Sequence, residues 1–257
     1  MDVSPIVGAV WSQIWWLLPV MLVATLLRSA QFKGWLGERL VRLLARWRLP
    51  AELYQPLHDV TLMTDDGTTQ IDHLFVSPFG IFVVETKNMG GWIFGSEKQA
   101  RWTQRFHRKS VSFQNPLRQN YKHVKAVEAV TGLPIEVIHS VVVFVGSSRF
   151  KTTMPANVTQ GGGCISYIKS FKTGVLTAAQ VQAAVTAIRT GRLAPTLATH
   201  REHVRQLKER IQSEAEKQCP ACGSKMVLRT AAKGAKAGNR FWGCSAYPKC
   251  RSVQQLD

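Results

Sequence analysis

Two short segments concentrate ionisable side chains between apolar ones: Gln70-Ile71-Asp72-His73 and Val84-Glu85-Thr86-Lys87. Strand-like runs carry both, and Ser77-Pro78-Phe79-Gly80 forms the turn between them. A two-residue loop sets Ser77 opposite Gly80 and therefore Asp72 opposite Glu85, which brings the carboxylates within about 5 Å on one face. Lys87, two residues beyond Glu85, points to that same face. Pro-Phe-Gly also suits a three-residue loop with Gly80 in a bulge, and that register sends Asp72 to the other face. Carboxylates about 4 Å apart repel by about 4 kcal/mol at an effective dielectric near 20. A divalent ion between them reverses the sign, and oxygen ligands favour Mg²⁺ or Mn²⁺. Lys87 is then placed to hold an attacking water or to offset developing phosphorane charge. His73 alternates with Asp72 and reads as a structural or surface residue on the opposite side of the strand.

The second constellation is made of cysteines. Cys219 and Cys222 form a CxxC knuckle, Cys244 and Cys250 follow, and Cys164 stands apart. An odd count with this clustering is unlike a disulfide framework and fits a metal site in a reducing compartment. Four thiolates suit a closed, structural, tetrahedral Zn²⁺ site. The segment is too short for a sufficient core of its own, so metal binding must supply much of its folding energy.

The chain has 257 residues, a formal net charge of +17 and 45% hydrophobic residues. That apolar content excludes a disordered tail, and the charge favours a polyanionic partner, nucleic acid or anionic lipid. Residues 3–27 contain no charged side chain. As a helix they reach about 37 Å, against about 30 Å of hydrocarbon, so they read as a single transmembrane span. Trp11, Trp15 and Trp16 suit its interface, and Arg28, Lys33, Arg39 and Arg42 follow it, with Asp2 alone before it. The positive-inside rule then puts the rest of the chain in the cytoplasm, at the cell inner membrane.

The remaining chain alternates helices and strands. Residues 34–48 read as a helix along which Leu36, Leu40, Leu43, Leu44 and Trp47 recur at helical spacing, with Glu38 on the flank of that stripe. Strands are expected at 58–63, 69–76 and 81–86, with short edge strands at 92–94 and 101–103. Residues 137–145 form the most apolar strand, expected at the centre of the sheet. Asn115-Pro116 starts a helix that Gly132 ends. Thr177 with Gln180 and Thr199 with Glu202 have capping-box spacing for two more. Trp92 and Trp102 read as packing residues. The order gives an α/β sandwich around one mixed sheet, with helices flanking it.

At this point a resemblance carries further than spacing. Gly37-Glu38, Gln70-Ile71-Asp72-His73, the run from Gly80 through Glu85-Thr86-Lys87-Asn88, Gly91-Trp92, Trp102 and Asn115-Pro116-Leu117-Arg118-Gln119 resemble, in order, the nuclease-related domain (NERD) family. The likeness covers about residues 34–145. It implies a restriction-endonuclease-like fold and a Mg²⁺-dependent nuclease site, with Asp72 and Glu85 as metal ligands and Lys87 as the catalytic lysine. It also implies Glu38 as the helical acid assisting the metal and Gln119 as the helix glutamine near the site. His123, one turn after Gln119, stands where some relatives carry tyrosine.

The C-terminal string Cys219-Pro-x-Cys222-Gly223-Ser224, Gly234 and Phe241-Trp242-Gly243-Cys244-Ser245-x-Tyr247-Pro248-x-Cys250 resembles the zinc-ribbon repeats of bacterial type IA DNA topoisomerases. That likeness implies single-stranded DNA binding. Lys225, Arg229, Lys233, Lys236 and Arg240 supply cations, and Phe241, Trp242 and Tyr247 supply rings for base stacking. The expected organisation is a transmembrane anchor at 1–28, a NERD nuclease-like core at 29–150 and a helical C-terminal part at 151–198. A helical linker at 199–217 and a Cys₄ zinc ribbon at 218–257 complete it. Two functions follow from different classes: a membrane-anchored, divalent-metal-dependent nuclease acting on DNA, or a non-catalytic membrane–DNA tether.

Overall fold

The computed structural model describes residues 15, 17–65, 67–107, 109–194, 196, 204–205, 219–231 and 240–255. It divides into two compact units, one ending at Leu193 and one holding the C-terminal segment.

The first unit opens with α1 (Leu17–Arg28) and α2 (Ala30–Arg48). Ser29 caps α2 by accepting from the Phe32 amide, and Leu49-Pro50 ends it. Among the described residues no helix is long and apolar enough to cross a membrane. Of the expected 3–27 span, residues 3–14 and 16 lie outside the described residues, as does the expected 199–217 helix apart from 204–205.

Strands β1 (Gln55–Thr64), β2 (Gly67–Ser77), β3 (Gly80–Asn88), β7 (Ile138–Val145) and β9 (Val158–Gln160) form a five-stranded sheet in the order β1-β2-β3-β7-β9. β2 and β3 are antiparallel, while β7 runs parallel to both β3 and β9. The mixed sheet is therefore as expected, with the apolar β7 between two neighbours. β9 lies in the stretch expected to be helical, between residues 151 and 198; its Val158 fills the last apolar place beside Val142.

The expected edge strands belong instead to a second sheet. β4 (Gly91–Phe94) and β5 (Arg101–Phe106) are its inner strands, flanked by β8 (Ser148–Phe150) and β6 (Lys109–Gln114). β6 reads Lys-Ser-Val-Ser-Phe-Gln and carries too little apolar alternation to announce itself.

Helices cover both faces of the main sheet. On one side α3 (Pro116–Thr131) and α5 (Ala178–Gly191) pack over Leu74, Val76, Ile81 and Val83. On the other, α2 and α4 (Gly163–Ile168) pack over Phe75, Phe82, Val84 and Val141. The caps read from sequence are present: Asn115 accepts from the Leu117 amide, Gly132 adopts φ 65°, and Thr177 with Gln180 forms the capping box.

Of the apolar stripe read on α2, Leu44 alone packs against the sheet. The helix's buried side is Gly37, Val41, Ala45 and Leu49, while Leu36, Leu40, Leu43 and Trp47 face outward. Size decides this. A Cβ on Gly37 would lie 2.8 Å from Val145 Cγ2 and 2.9 Å from Asn88 Cβ, so the helix backbone rests almost directly on β3 and β7. Large leucines on that side would lift the helix off the sheet.

The second unit contains a three-stranded antiparallel ribbon, β10 (Met226–Thr230), β11 (Arg240–Cys244) and β12 (Val253–Gln255).

Candidate active site and zinc ribbon

The β2–β3 turn fixes the register on which the site depends. Ser77 pairs with Gly80 across the two-residue loop Pro78-Phe79. The Ser77 hydroxyl accepts from the Phe79 amide and donates to the Gly80 carbonyl. Gly80 has φ 118°, and a Cβ there would meet the Val137 carbonyl oxygen at 2.6 Å, so only glycine suits the position. The ladder runs from that pair to His73 opposite Val84. Asp72 and Glu85 follow directly beyond that last pair.

The strand changes phase at this point. Ile71 shares the α3 side of the sheet with Leu74 and Val76, whereas His73 turns with Phe75 to the other side. Residues of opposite parity share a face, so the alternation slips by one at Asp72. There the Asp72 carboxylate takes the place of a ladder carbonyl: Oδ2 accepts the Thr86 amide at 2.7 Å.

Glu85 is almost fully buried and held at both oxygens. Oε1 lies 2.7 Å from Lys87 Nζ, and Oε2 lies 3.1 Å from His123 Nε2. Lys87 Nζ also donates to Gln119 Oε1 at 2.8 Å. The other His123 ring nitrogen, Nδ1, lies 2.7 Å from the Thr69 hydroxyl. Gln119 and His123 are one turn apart on α3, so a single helix face meets both ends of the Glu85–Lys87 pair. Asn120 between them is fully buried and ties α3 to two strands, donating to the Val83 and Val141 carbonyls and to Ser140 Oγ.

The two carboxyls titrate in opposite directions. Burial pushes Asp72 well above the usual carboxylate range, and the nearby Glu85 charge adds to this, against the Thr86 hydrogen bond. Burial also works to raise Glu85, but the His123 hydrogen bond and the Lys87 ammonium outweigh it and leave Glu85 lowered. Glu38, half-buried on α2, is raised by burial and then by Asp59, with a smaller push from Glu85. Glu38 is thus within electrostatic reach of the pair, although it stands on the other helical layer.

This donor set suits a hard divalent ion. Magnesium keeps several waters and takes one or two carboxylates plus substrate phosphate, which a pair such as Asp72 and Glu85 supplies. Among the described residues, however, the only convergence of three or more ligand groups is the cysteine cluster, so Glu38 remains beside the pair and outside it.

Lys87 meets Glu85 and Gln119, and Asp72 meets the Thr86 amide, four side chains that sequence reasoning had named. That reasoning missed Thr69, whose only signal is a second buried threonine ahead of the acidic strand position, and Asn120, a buried polar residue inside a helical apolar pattern. His73 does turn away from Asp72. It is buried beside His58, with the two Nδ1 atoms 3.0 Å apart, and burial lowers the pair to about 3 and about 4 respectively. Trp102 is a packing residue, stacked on Phe144. Trp92 is not: it is half-exposed, with the Lys151 ammonium 4.8 Å above its ring.

In the ribbon, the four cysteine Sγ atoms lie within 4.8 Å of one another. Cys222 and Cys244 are 3.4 Å apart and Cys219 and Cys250 3.7 Å. A tetrahedral ZnS₄ site with bonds of about 2.3 Å has edges of about 3.8 Å, so the cysteines fit zinc. The knuckle closes through Gly223, whose amide donates to the Cys219 carbonyl at 2.8 Å with φ 69°. The Ala246 amide points at Cys244 Sγ, a geometry that suits a thiolate.

Trp242 departs from expectation. It is buried with Cys219, Met226 and Cys244 in the ribbon's own small core, so its ring is not free to stack on a base. Metal and tryptophan together make the core that so short a segment lacks. Tyr247 is exposed with the Arg229 guanidinium 5.7 Å from its ring, Phe241 is half-buried, and Lys225, Arg229 and Arg240 are exposed. Lys233 and Lys236 lie outside the described residues.

The comparisons with known proteins match this division. Residues 33–145 match the family described as Nuclease-related domain, and residues 216–257 match the Topoisomerase DNA binding C4 zinc finger. The chain therefore carries a NERD domain and a topoisomerase-type zinc ribbon. It is also similar to an uncharacterized protein of Bacillus anthracis, 56% identical over 99 residues. That stretch is 38% of this chain and 46% of the relative, so the match spans about half of the relative's length.

Proposed function

We propose that the chain is a membrane-anchored, divalent-metal-dependent nuclease that hydrolyses DNA phosphodiester bonds, with the zinc ribbon holding the strand. The observation that carries this reading is the convergence of Asp72, Glu85, Lys87 and Gln119 within a domain of nuclease-related sequence. Asp72 and Glu85 would hold Mg²⁺ or Mn²⁺, which supplies Lewis-acid polarisation of a phosphoryl oxygen and lowers the pKa of bound water. Lys87 is fixed between Glu85 and Gln119, so its ammonium reaches the site without searching rotamers. There it orients the attacking water and offsets charge on the phosphate. His123 and Thr69 hold Glu85 in its ionised orientation.

The ribbon supplies exposed cations and the Tyr247 ring, a combination suited to single-stranded DNA. The anchor reading rests on the uncharged 3–27 stretch, and it places the bulk of the chain on the cytoplasmic side of the cell inner membrane.

The test uses the purified full chain, loaded with zinc, on labelled single- and double-stranded DNA with Mg²⁺, with Mn²⁺ and with neither. Cutting that requires the added ion is expected. Tight, salt-sensitive binding with no cutting under any of these conditions would replace the nuclease by a membrane–DNA tether.

A further inference from the structure

Helix α2 turns its bulkiest side chains away from the protein. Trp35, Leu36, Leu40, Leu43 and Trp47 are each between 43% and 74% exposed. At about 100° per residue, Leu36, Leu40, Leu43 and Trp47 fall within about 60° of arc. Arg39 and Arg46 border that arc on one side and Lys33 on the other, all exposed. The Arg39 guanidinium sits 5.3 Å from the centroid of the Trp35 ring. The one acidic residue of α2, Glu38, lies on the opposite side of the helix and is half-buried. A continuous exposed apolar stripe of this kind marks an interaction surface.

The neighbouring helix says what covers it. α1 ends one residue before α2 begins, and Leu18, Val20, Met21, Leu22, Val23 and Leu26 of α1 are each more than half exposed. A helix apolar on all sides belongs in hydrocarbon. An apolar stripe bordered by arginine and lysine, with tryptophans near its ends, suits the boundary between headgroups and acyl chains.

We propose that α2 lies flat in the interface of an anionic bilayer, its Leu36–Leu40–Leu43–Trp47 stripe in the acyl boundary and Arg39, Arg46 and Lys33 among the lipid phosphates. The proposal rests on the anchor reading above and deepens it. Glu85 meets His123 of α3 on the far face of the sheet, so docking holds the carboxylate site beyond both α2 and the sheet, on the order of 20 Å above the lipid. DNA is then approached at a fixed height and orientation, and the domain does not swing on a loose tether.

The test places the photo-crosslinker p-benzoylphenylalanine in the full chain at Leu40→p-benzoylphenylalanine or Trp47→p-benzoylphenylalanine. The control is Tyr121→p-benzoylphenylalanine, at an exposed position on α3, across the sheet from α2. Each protein is reconstituted in vesicles of phosphatidylethanolamine and phosphatidylglycerol, floated, irradiated and read by mass spectrometry. Lipid adducts are expected at 40 and 47 and not at 121. Arg39→Gln and Arg46→Gln should each lower the docked fraction about fivefold, the equivalent of about 1 kcal/mol per cation at an anionic surface. Exchanging phosphatidylglycerol for phosphatidylcholine should act in the same direction. Crosslinks to a second copy of the chain at 40 or 47 in place of lipid, or equal lipid labelling at 121, would overturn the proposal. Flotation without lipid adducts at 40 and 47 would overturn it and leave the anchor standing. A chain that does not float at all would overturn both.

Discussion

Asp72 accepts the Thr86 amide at 2.7 Å at the point where the β2–β3 ladder stops. One hydrogen bond thus couples the two acidic segments, and it holds Asp72 beside Glu85 although the pair repels. The opposite shifts of the two carboxyls follow from what surrounds them: against its burial Asp72 has the Thr86 amide and a smaller pull from the Lys87 charge, whereas Glu85 has direct hydrogen bonds from His123 and Lys87.

Stability should therefore respond in opposite senses to neutralising each carboxyl. Asp72 keeps its proton to higher pH in the folded chain than in the unfolded one. Its ionisation removes stability as pH rises from the ordinary carboxylate range through the raised value. Asp72→Asn lifts that cost and should stabilise the protein at neutral pH, in zinc-replete, magnesium-free buffer, by about 1 kcal/mol or more. Glu85 is lowered, so its contribution is present above the ordinary range and is lost as pH falls through the lowered value. Glu85→Gln should cost about 1–3 kcal/mol by weakening charged hydrogen bonds to Lys87 and His123. Urea unfolding at neutral pH reads both. The same sign for the two variants would contradict the arrangement.

Asn120 gives a second prediction. Its amide nitrogen donates to carbonyls of β3 and β7 from the middle of α3. Asn120→Ala leaves those groups without this donor in a buried place and should cost about 2–4 kcal/mol. Because α3 also carries Gln119 and His123, activity should fall with stability. A variant that unfolds at the wild-type midpoint would show that α3 is held by its apolar side alone.

Zinc removal should act locally. Cys219, Met226, Trp242 and Cys244 form a small core of their own, and the sheet's clusters share no residue with it. A chelator or Cys222→Ser should abolish amide protection in β10–β12 and leave that of β3 and β7 intact, as hydrogen exchange reads directly. DNA affinity should drop with it. Unchanged protection in the ribbon after metal loss would mean that its fold does not depend on zinc.

Much of the site could be read from the sequence where local rules govern. The two-residue Ser77–Gly80 turn is one of the two loops that the sequence allowed, and it leads to Asp72 and Glu85 just beyond the last ladder pair, while CxxC spacing announced the cysteine cluster. Long-range partners were hidden. Thr69 and His123 are 54 residues apart and meet only because α3 crosses that strand. Which side of α2 meets the sheet was not legible, because periodicity records where apolar residues lie, while Gly37 and Ala45 pack closer than leucine allows. Trp242 was assigned to DNA because its type suits stacking, but so small a ribbon needs it inside.

The most direct measurement compares Lys87→Ala with the wild-type chain for two quantities on one DNA substrate: the Mg²⁺-dependent cleavage rate and the binding affinity. Among the described residues Lys87 contacts Glu85 and Gln119 and is partly exposed, and its loss leaves Glu85 the His123 partner, so the variant should stay folded at some cost in stability and keep the affinity that the ribbon supplies. The rate should fall by about two to four orders of magnitude. Cleavage by Lys87→Ala at the wild-type rate would show that phosphodiester hydrolysis does not take place at the Asp72–Glu85–Lys87 site.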